Sequence, residues 1–138
     1  MSKHADVVKD LTKNQSLVMS ALTNSSTPLS AYTILDELRE DGFRAPLQVY
    51  RALDKLMEIG LVHRLESLNA FVACQHPSCE GEVDETILFT ICEQCGSVDE
   101  LVRNKLVNAV NNLAREIGFT LNKSVIELRG ICSDCRSG

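Results

Sequence analysis

Two pairs of cysteines, each with two residues between its members, constrain this 138-residue chain more than any other feature. The first pair is Cys92 and Cys95, and the second is Cys132 and Cys135. A two-residue gap lets a tight turn direct both thiolates of a pair at one point, and two such pairs complete a tetrahedral zinc site. The pairs are too far apart for a compact zinc ribbon. The spacing therefore predicts a structural zinc that joins the end of a domain to its own beginning, with two disulfides or four buried thiols as the alternatives.

Composition and charge limit the class of protein. The N-terminus has no apolar secretion signal and no stretch approaches the length of a membrane span, so we expect a cytoplasmic protein with no membrane partner. The net charge of −5 argues mildly against a nucleic-acid partner. Its distribution is uneven: residues 1–69 hold eight basic and nine acidic side chains, and residues 70–138 hold six and ten. Any DNA contact is therefore expected in the first half.

Apolar residues recur at helical spacing through the first sixty residues. We expect a weak helix at 4–12, a clearer one at 15–23, and a third after Ser30, whose hydroxyl can cap it. A fourth helix is predicted from Pro46 to residue 58, with Gly60 as its stop signal.

After Gly60 the apolar period changes from helical to alternating, with Leu61, His63 and Leu65 expected on one face of a strand. A returning strand at 70–73 completes a β-hairpin. Helices followed by a hairpin predict a winged helix-turn-helix, whose last helix lies in the major groove of DNA. The exposed polar residues of that helix, which could reach bases or phosphates, are Gln48, Tyr50, Arg51 and Lys55. Arg51 could bind a guanine with two hydrogen bonds. A plain solvated helix face is the alternative.

The second half predicts a smaller domain. Ile87 to Ile91 forms a short apolar strand, an apolar stripe from Leu101 to Ile117 indicates a long helix, and Phe119 to Leu128 forms a second strand. Such a thin α/β module cannot bury both faces alone, so we expect a homodimer. The predicted protein is α+β, with an N-terminal winged helix-turn-helix domain at 1–74, a hinge at 75–86, and a small C-terminal α/β dimerisation domain with structural zinc at 87–138.

Several segments together resemble the ferric-uptake-regulator superfamily, most closely its zinc-uptake branch. They are Leu29-Ser30-Ala31-Tyr32, Val49-Tyr50-Arg51-Ala52-Leu53, Gly60 to Ser67, and the two C-x-x-C pairs, in the family's order. The resemblance implies a dimeric bacterial repressor that binds a palindromic operator in double-stranded DNA when loaded with metal. The family's usual Pro-Pro-Thr before Val-Tyr-Arg is Pro46-Leu47-Gln48 here, so the operator of relatives should not be assumed.

The resemblance also assigns roles to single residues. The four cysteines of the two pairs fall on structural zinc ligands, and Tyr32 and Arg51 fall on positions that contact DNA. His63, Cys74 and Glu100 fall on three ligands of a regulatory zinc, which implies two zinc ions per chain.

The fourth regulatory ligand is open. The family column, a histidine seven residues before the first C-x-x-C, holds Glu85 here. Cys79 in the same polar stretch is a chemically better zinc ligand, so Cys79 and Glu85 are equal candidates and His76 ranks behind them.

These features predict a zinc-responsive repressor of metal-uptake genes, without catalytic residues or a small-molecule substrate. A thiolate beside an imidazole favours zinc over iron(II). An iron- or peroxide-responsive regulator of the same superfamily is the first alternative, and a zinc-stapled protein-interaction module, consistent with the acidic charge, is the second. A zinc deaminase is disfavoured because H-x-E and P-C-x-x-C do not occur.

Overall fold

The computed structural model describes residues 10–74 and 86–137 and divides the chain into two compact units, Met1–Gly81 and Glu82–Gly138. Residues 4–9 of the helix expected at 4–12 and all but the last residue of the expected hinge lie outside the described residues. Residues 10–12 are not helical, and Thr12 caps the helix that begins at Lys13. Within the described ranges, no helix is long and apolar enough to cross a membrane.

The N-terminal unit consists of three helices followed by a two-stranded hairpin. Its elements are α1 (Lys13–Thr23), α2 (Ala31–Glu37), a 3-10 turn (Arg39–Asp41), α3 (Pro46–Glu58), β1 (Val62–Leu65) and β2 (Ala70–Ala73). The two strands pair antiparallel, and Leu29 joins the hairpin through a bridge to Phe71. This order of elements confirms the predicted winged helix-turn-helix.

Local signals define where α2 begins and where α3 ends. The Ser30 hydroxyl accepts a hydrogen bond from the backbone N–H of Thr33 at 3.1 Å, which satisfies a donor that the first turn of α2 leaves open. Gly60 follows α3 with φ of 84°, a conformation that costs glycine little. That turn lets the Leu61 N–H donate to the Leu56 carbonyl at 2.9 Å and closes the helix end.

One apolar core holds the N-terminal unit together. Its members from α3 are Val49, Ala52, Leu53 and Leu56, all on one side of the helix. Burying a leucine such as Leu53, which is 0% exposed, contributes about 1.5–3 kcal/mol. Because four such residues anchor one side, α3 is held with its opposite side in solvent.

The expected alternation after Gly60 is only partly present. Leu61 and Val62 are both buried, whereas His63 is half-buried and Arg64 is exposed. The reason is that Leu61 belongs to the cap of α3 rather than to the strand, so the strand itself begins at Val62.

The C-terminal unit contains a three-stranded sheet and two helices. Its elements are β3 (Thr86–Cys92), β4 (Val98–Leu101), α4 (Asn104–Glu116), β5 (Ser124–Gly130) and α5 (Ser133–Ser137). The strand order is β4-β3-β5, with β3 antiparallel to β4 and parallel to β5. The chain between the two parallel strands passes through β4 and α4, as a parallel connection requires.

The structure corrects the sequence reading of this unit in three places. Leu101, expected in the long helix, lies in β4, and the helix begins only at Asn104. The last strand begins at Ser124 rather than at Phe119, and the short helix α5 was not expected. Strand β4 has only four residues and lies at the sheet edge, so its sequence shows no clear period.

A set of apolar side chains of this unit is exposed in the single chain. Leu113 on α4 is 58% exposed, and Ile117 and Phe119 just beyond it are 68% and 61% exposed. Leu128 on β5 is 52% exposed. This many exposed apolar side chains are typical of a surface that another chain covers, which agrees with the prediction that the unit dimerises.

Candidate functional site

The four cysteines of the C-x-x-C pairs come together at one end of the C-terminal sheet. Cys92 is the last residue of β3, with Cys95 in the turn that follows, and Cys132 and Cys135 follow β5. Because β3 and β5 are parallel neighbours, with Cys92 opposite Gly130, their ends lie side by side. The four Sγ atoms all lie within 4.8 Å of one another.

The geometry of this cluster fits a tetrahedral zinc ion. The Sγ atoms of Cys95 and Cys132 are 3.8 Å apart. Four sulfurs at about 2.3 Å from a central zinc would be separated by about 3.8 Å. The backbone N–H groups of Cys95 and Cys132 each donate to Cys92 Sγ at 3.4 Å, which favours a thiolate there. Four thiolates fill a tetrahedral site, so the cluster suits a structural ion rather than a catalytic one.

The thiols of the cluster differ in their affinity for protons. The N–H groups of Cys95 and Cys132 lower the pKa of Cys92 to about 6. Hydrogen bonds with Ser97 lower the pKa of Cys95. The pKa of Cys135 is raised to about 12, and the largest cause is its hydrogen bond with the Cys132 thiol. A cation that binds all four sulfurs must therefore displace protons, and its affinity must fall as the pH falls.

Two of the proposed regulatory ligands lie in the hairpin of the N-terminal unit. His63 is half-buried on β1, and Cys74 directly follows β2, where its N–H donates to the Leu61 carbonyl at 2.8 Å. A ring nitrogen of His63 and Cys74 Sγ lie within 4.8 Å of each other. Cys74 is disulfide-bonded in this structure, so its sulfur could bind a metal ion only after reduction. Glu100 lies on β4 of the C-terminal unit, opposite Phe89. Cys79, Glu85 and His76 lie outside the described residues.

The predicted DNA-contacting residues differ in accessibility. Tyr32 on α2 is 63% exposed, and Arg51 and Lys55 are exposed one turn apart on α3. Tyr50 packs partly against the core. The Lys55 ammonium forms an ion pair with Glu58 at 3.7 Å.

Gln48 has a structural role that we did not predict from the sequence. Its Oε1 accepts hydrogen bonds from the backbone N–H groups of Arg44 at 2.7 Å and Ala45 at 3.0 Å. Ala45, the residue before α3, has no side-chain oxygen, so Gln48 supplies the polar contact at this helix start. A glutamine three residues after the position that caps a helix could have signalled this role. Only the side-chain NH₂ of Gln48 remains available to DNA.

Comparison with known proteins agrees with this architecture. Residues 8–129 match the ferric uptake regulator family. The chain is 37% identical over 126 residues to the zinc uptake regulation protein of Escherichia coli (strain K12), an alignment that covers 91% of this chain and 72% of the relative.

Two solved structures are similar over nearly the whole chain. A zinc uptake regulator complexed with zinc and DNA superposes with a TM-score of 0.85 at 31% identity, covering 99% of this chain and 97% of that one. The crystal structure of holo XcZur superposes with a TM-score of 0.82 at 38% identity, covering 93% and 87%. The family match, the identity to a regulator and the shared fold show that this chain belongs to the ferric uptake regulator family.

Proposed function

We propose that this chain is a zinc-responsive transcriptional repressor of metal-uptake genes, which binds a palindromic operator as a zinc-loaded homodimer in the cytoplasm. One observation carries the proposal: a winged helix and a site of four thiols occur in one chain that is similar, over 99% of its length, to a zinc uptake regulator complexed with zinc and DNA. The family is one of regulators, and the chain is not an enzyme.

Two zinc ions per chain are part of the proposal. The first binds Cys92, Cys95, Cys132 and Cys135. Because it would connect the ends of two strands and leave no open coordination position, its role is structural.

The second zinc ion is regulatory, and its proposed ligands are His63, Cys74 and Glu100. The fourth ligand is Cys79 or Glu85, with His76 less favoured. A soft thiolate beside an imidazole selects zinc over iron(II) and manganese(II), which prefer oxygen-rich sites. The proximity of His63 and Cys74 within the hairpin supports the assignment. An iron-responsive regulator of the same superfamily is disfavoured by that donor set.

Regulation would act through the spacing of the two α3 helices in the dimer. A palindromic operator requires one spacing, about 34–36 Å for half-sites one helical turn apart. Ligands from both units would restrict this spacing when zinc is bound. A hundredfold effect of zinc on DNA affinity requires about 2.7 kcal/mol of coupling between the two binding events.

The proposed DNA contacts follow from exposure and chemistry. Arg51 is the residue suited to a guanine, and Tyr32 and Tyr50 would contact phosphates or thymine methyl groups. Gln48 can contribute only its NH₂ group, and Lys55 would exchange its exposed ion pair with Glu58 for a phosphate contact.

The test measures zinc content and DNA binding together. Wild type should hold two zinc ions per chain and bind its operator only when zinc is present. Cys74→Ser should remain a folded dimer with one zinc ion per chain and lose the zinc dependence. Glu100→Gln should behave like Cys74→Ser, whereas Asp99→Asn, the exposed neighbour on β4, should behave like wild type.

Other results would redirect the proposal. A Cys74→Ser variant that still responds to zinc would place the regulatory site elsewhere. Stronger operator binding with iron(II) than with zinc would favour the iron-responsive alternative. No DNA binding with either metal would favour a zinc-stapled protein-interaction module.

A further inference from the structure

Leu47 is the exposed apolar residue of α3. Its side chain is 56% exposed, while the other aliphatic residues near it, Val49, Ala52 and Leu53, are at most 4% exposed. An isolated exposed leucine on a protein surface is common and needs no special reason. The position of Leu47 is what makes it informative.

Leu47 is the second residue of α3 and lies four residues before Arg51. Residues four apart lie one above the other on the same face of a helix, so the exposed Leu47 and the exposed Arg51 are neighbours. In a helix-turn-helix, the residues that contact base edges come from the start of the recognition helix. The first turn of α3 carries no acidic residue, so nothing there repels the phosphates that flank a groove.

The chemistry of a leucine side chain limits what it can recognise in DNA. It neither donates nor accepts hydrogen bonds, so it cannot distinguish the polar edges of the bases. The apolar group that the major groove presents is the C5 methyl of thymine, which cytosine lacks. The neighbouring Gln48 cannot take over this position, because its Oε1 is already bonded to Arg44 and Ala45.

We propose that Leu47 is a specificity-determining residue that packs on the methyl group of one thymine in each operator half-site, next to the base bound by Arg51. The inference rests on the proposed DNA-binding function. It adds a preference for thymine over cytosine at one position of each half-site, and it names the C5 methyl group of that thymine as the feature that Leu47 contacts.

The test removes single methyl groups from the DNA. The zinc-loaded full chain first selects duplexes from a randomised library, and each thymine of the selected duplex is then replaced in turn by deoxyuridine. For wild type, at least one position per half-site should weaken binding about fourfold, the effect of one buried methyl group. In Leu47→Ala the penalty at one such position should disappear. In Leu47→Met, which keeps an apolar side chain of similar reach, it should remain.

Leu68→Ala is the matched control, since Leu68 is an exposed leucine of the hairpin turn, 42% exposed. This variant should keep the full deoxyuridine penalty at the same position. If Leu47→Ala shows every penalty that wild type shows, the inference is wrong although DNA binding stands. If no duplex is enriched from the library, the proposed function itself fails and the inference fails with it.

Discussion

Salt should weaken DNA binding by this protein less steeply than a count of its basic residues suggests. Residues 10–74 carry six basic and eight acidic side chains. Three of the six are held in ion pairs: Arg39 with Asp36 at 3.0 Å, Lys55 with Glu58 at 3.7 Å, and Arg64 with Glu66 at 3.8 Å. Within the described part of the chain, Lys13, Arg44 and Arg51 have no such partner.

The expected slope follows from this division. Each phosphate neutralised contributes about −0.9 to the slope of log K against log salt concentration. If Lys13 and Arg44 contact phosphates and Arg51 contacts a base, a dimer makes about four phosphate contacts, and the slope is about −4. If Arg51 also contacts a phosphate, the slope is about −5. Participation of all six basic residues would give about −11.

The assay is a titration of the zinc-loaded dimer with fluorescent operator DNA at several salt concentrations. Lys3 and Lys9 should first be replaced by glutamine, because they lie outside the described residues and would add to the count. Arg44→Ala should then make the slope shallower by about 2 per dimer. Arg39→Ala, which removes an arginine already paired with Asp36, should leave it unchanged. A slope near −11, or an equal effect of both variants, would refute the reasoning.

Three further predictions concern the metal cluster and the start of α3. Cys132→Ser should give aggregated or monomeric protein even in excess zinc, because folding and metal binding are coupled at a closed thiolate site; a soluble dimer on size-exclusion chromatography would contradict this. Zinc release to a chromophoric chelator should increase as the pH falls, because protons compete with the ion for the four sulfurs; release that does not change with pH would contradict this. Gln48→Ala should lower the free energy of unfolding by about 0.5–2 kcal/mol, because two backbone donors at the start of α3 lose their acceptor, and Gln48→Glu should lower it less.

The N-terminal unit could be predicted from the sequence because its signals are local. Ser30, Pro46 and Gly60 mark helix ends through contacts made within a few residues, and the structure places helix boundaries at all three. The C-x-x-C pairs were equally informative, since each fixes the direction of two sulfurs by itself. The four cysteines then met because β3 and β5 are neighbours.

The remaining features depend on contacts that no short window of sequence contains. Strand β4 reads Val-Asp-Glu-Leu and is defined by pairing with β3 rather than by its own pattern, so Leu101 was assigned to the wrong element. The role of Gln48 depends on the absence of a side-chain oxygen at Ala45, and the exposure of Leu47 depends on which side of α3 meets the core. The ligands of the regulatory zinc remain predictions.

The placement of the four cysteines also bears on how long the protein survives in a cell. Cys92 and Cys132 are 40 residues apart in the chain, and a bound ion would close that loop. Closing a loop of this length lowers the entropy of the unfolded chain, which stabilises the folded unit by about 4 kcal/mol. A unit the size of residues 82–138 has a total stability on the order of 3–9 kcal/mol, so the bound ion supplies a large share of it. Chains made under zinc starvation would lose a large share of this stability and would be removed by proteases more readily. Zinc supply would then set the abundance of this protein as well as its occupancy of DNA.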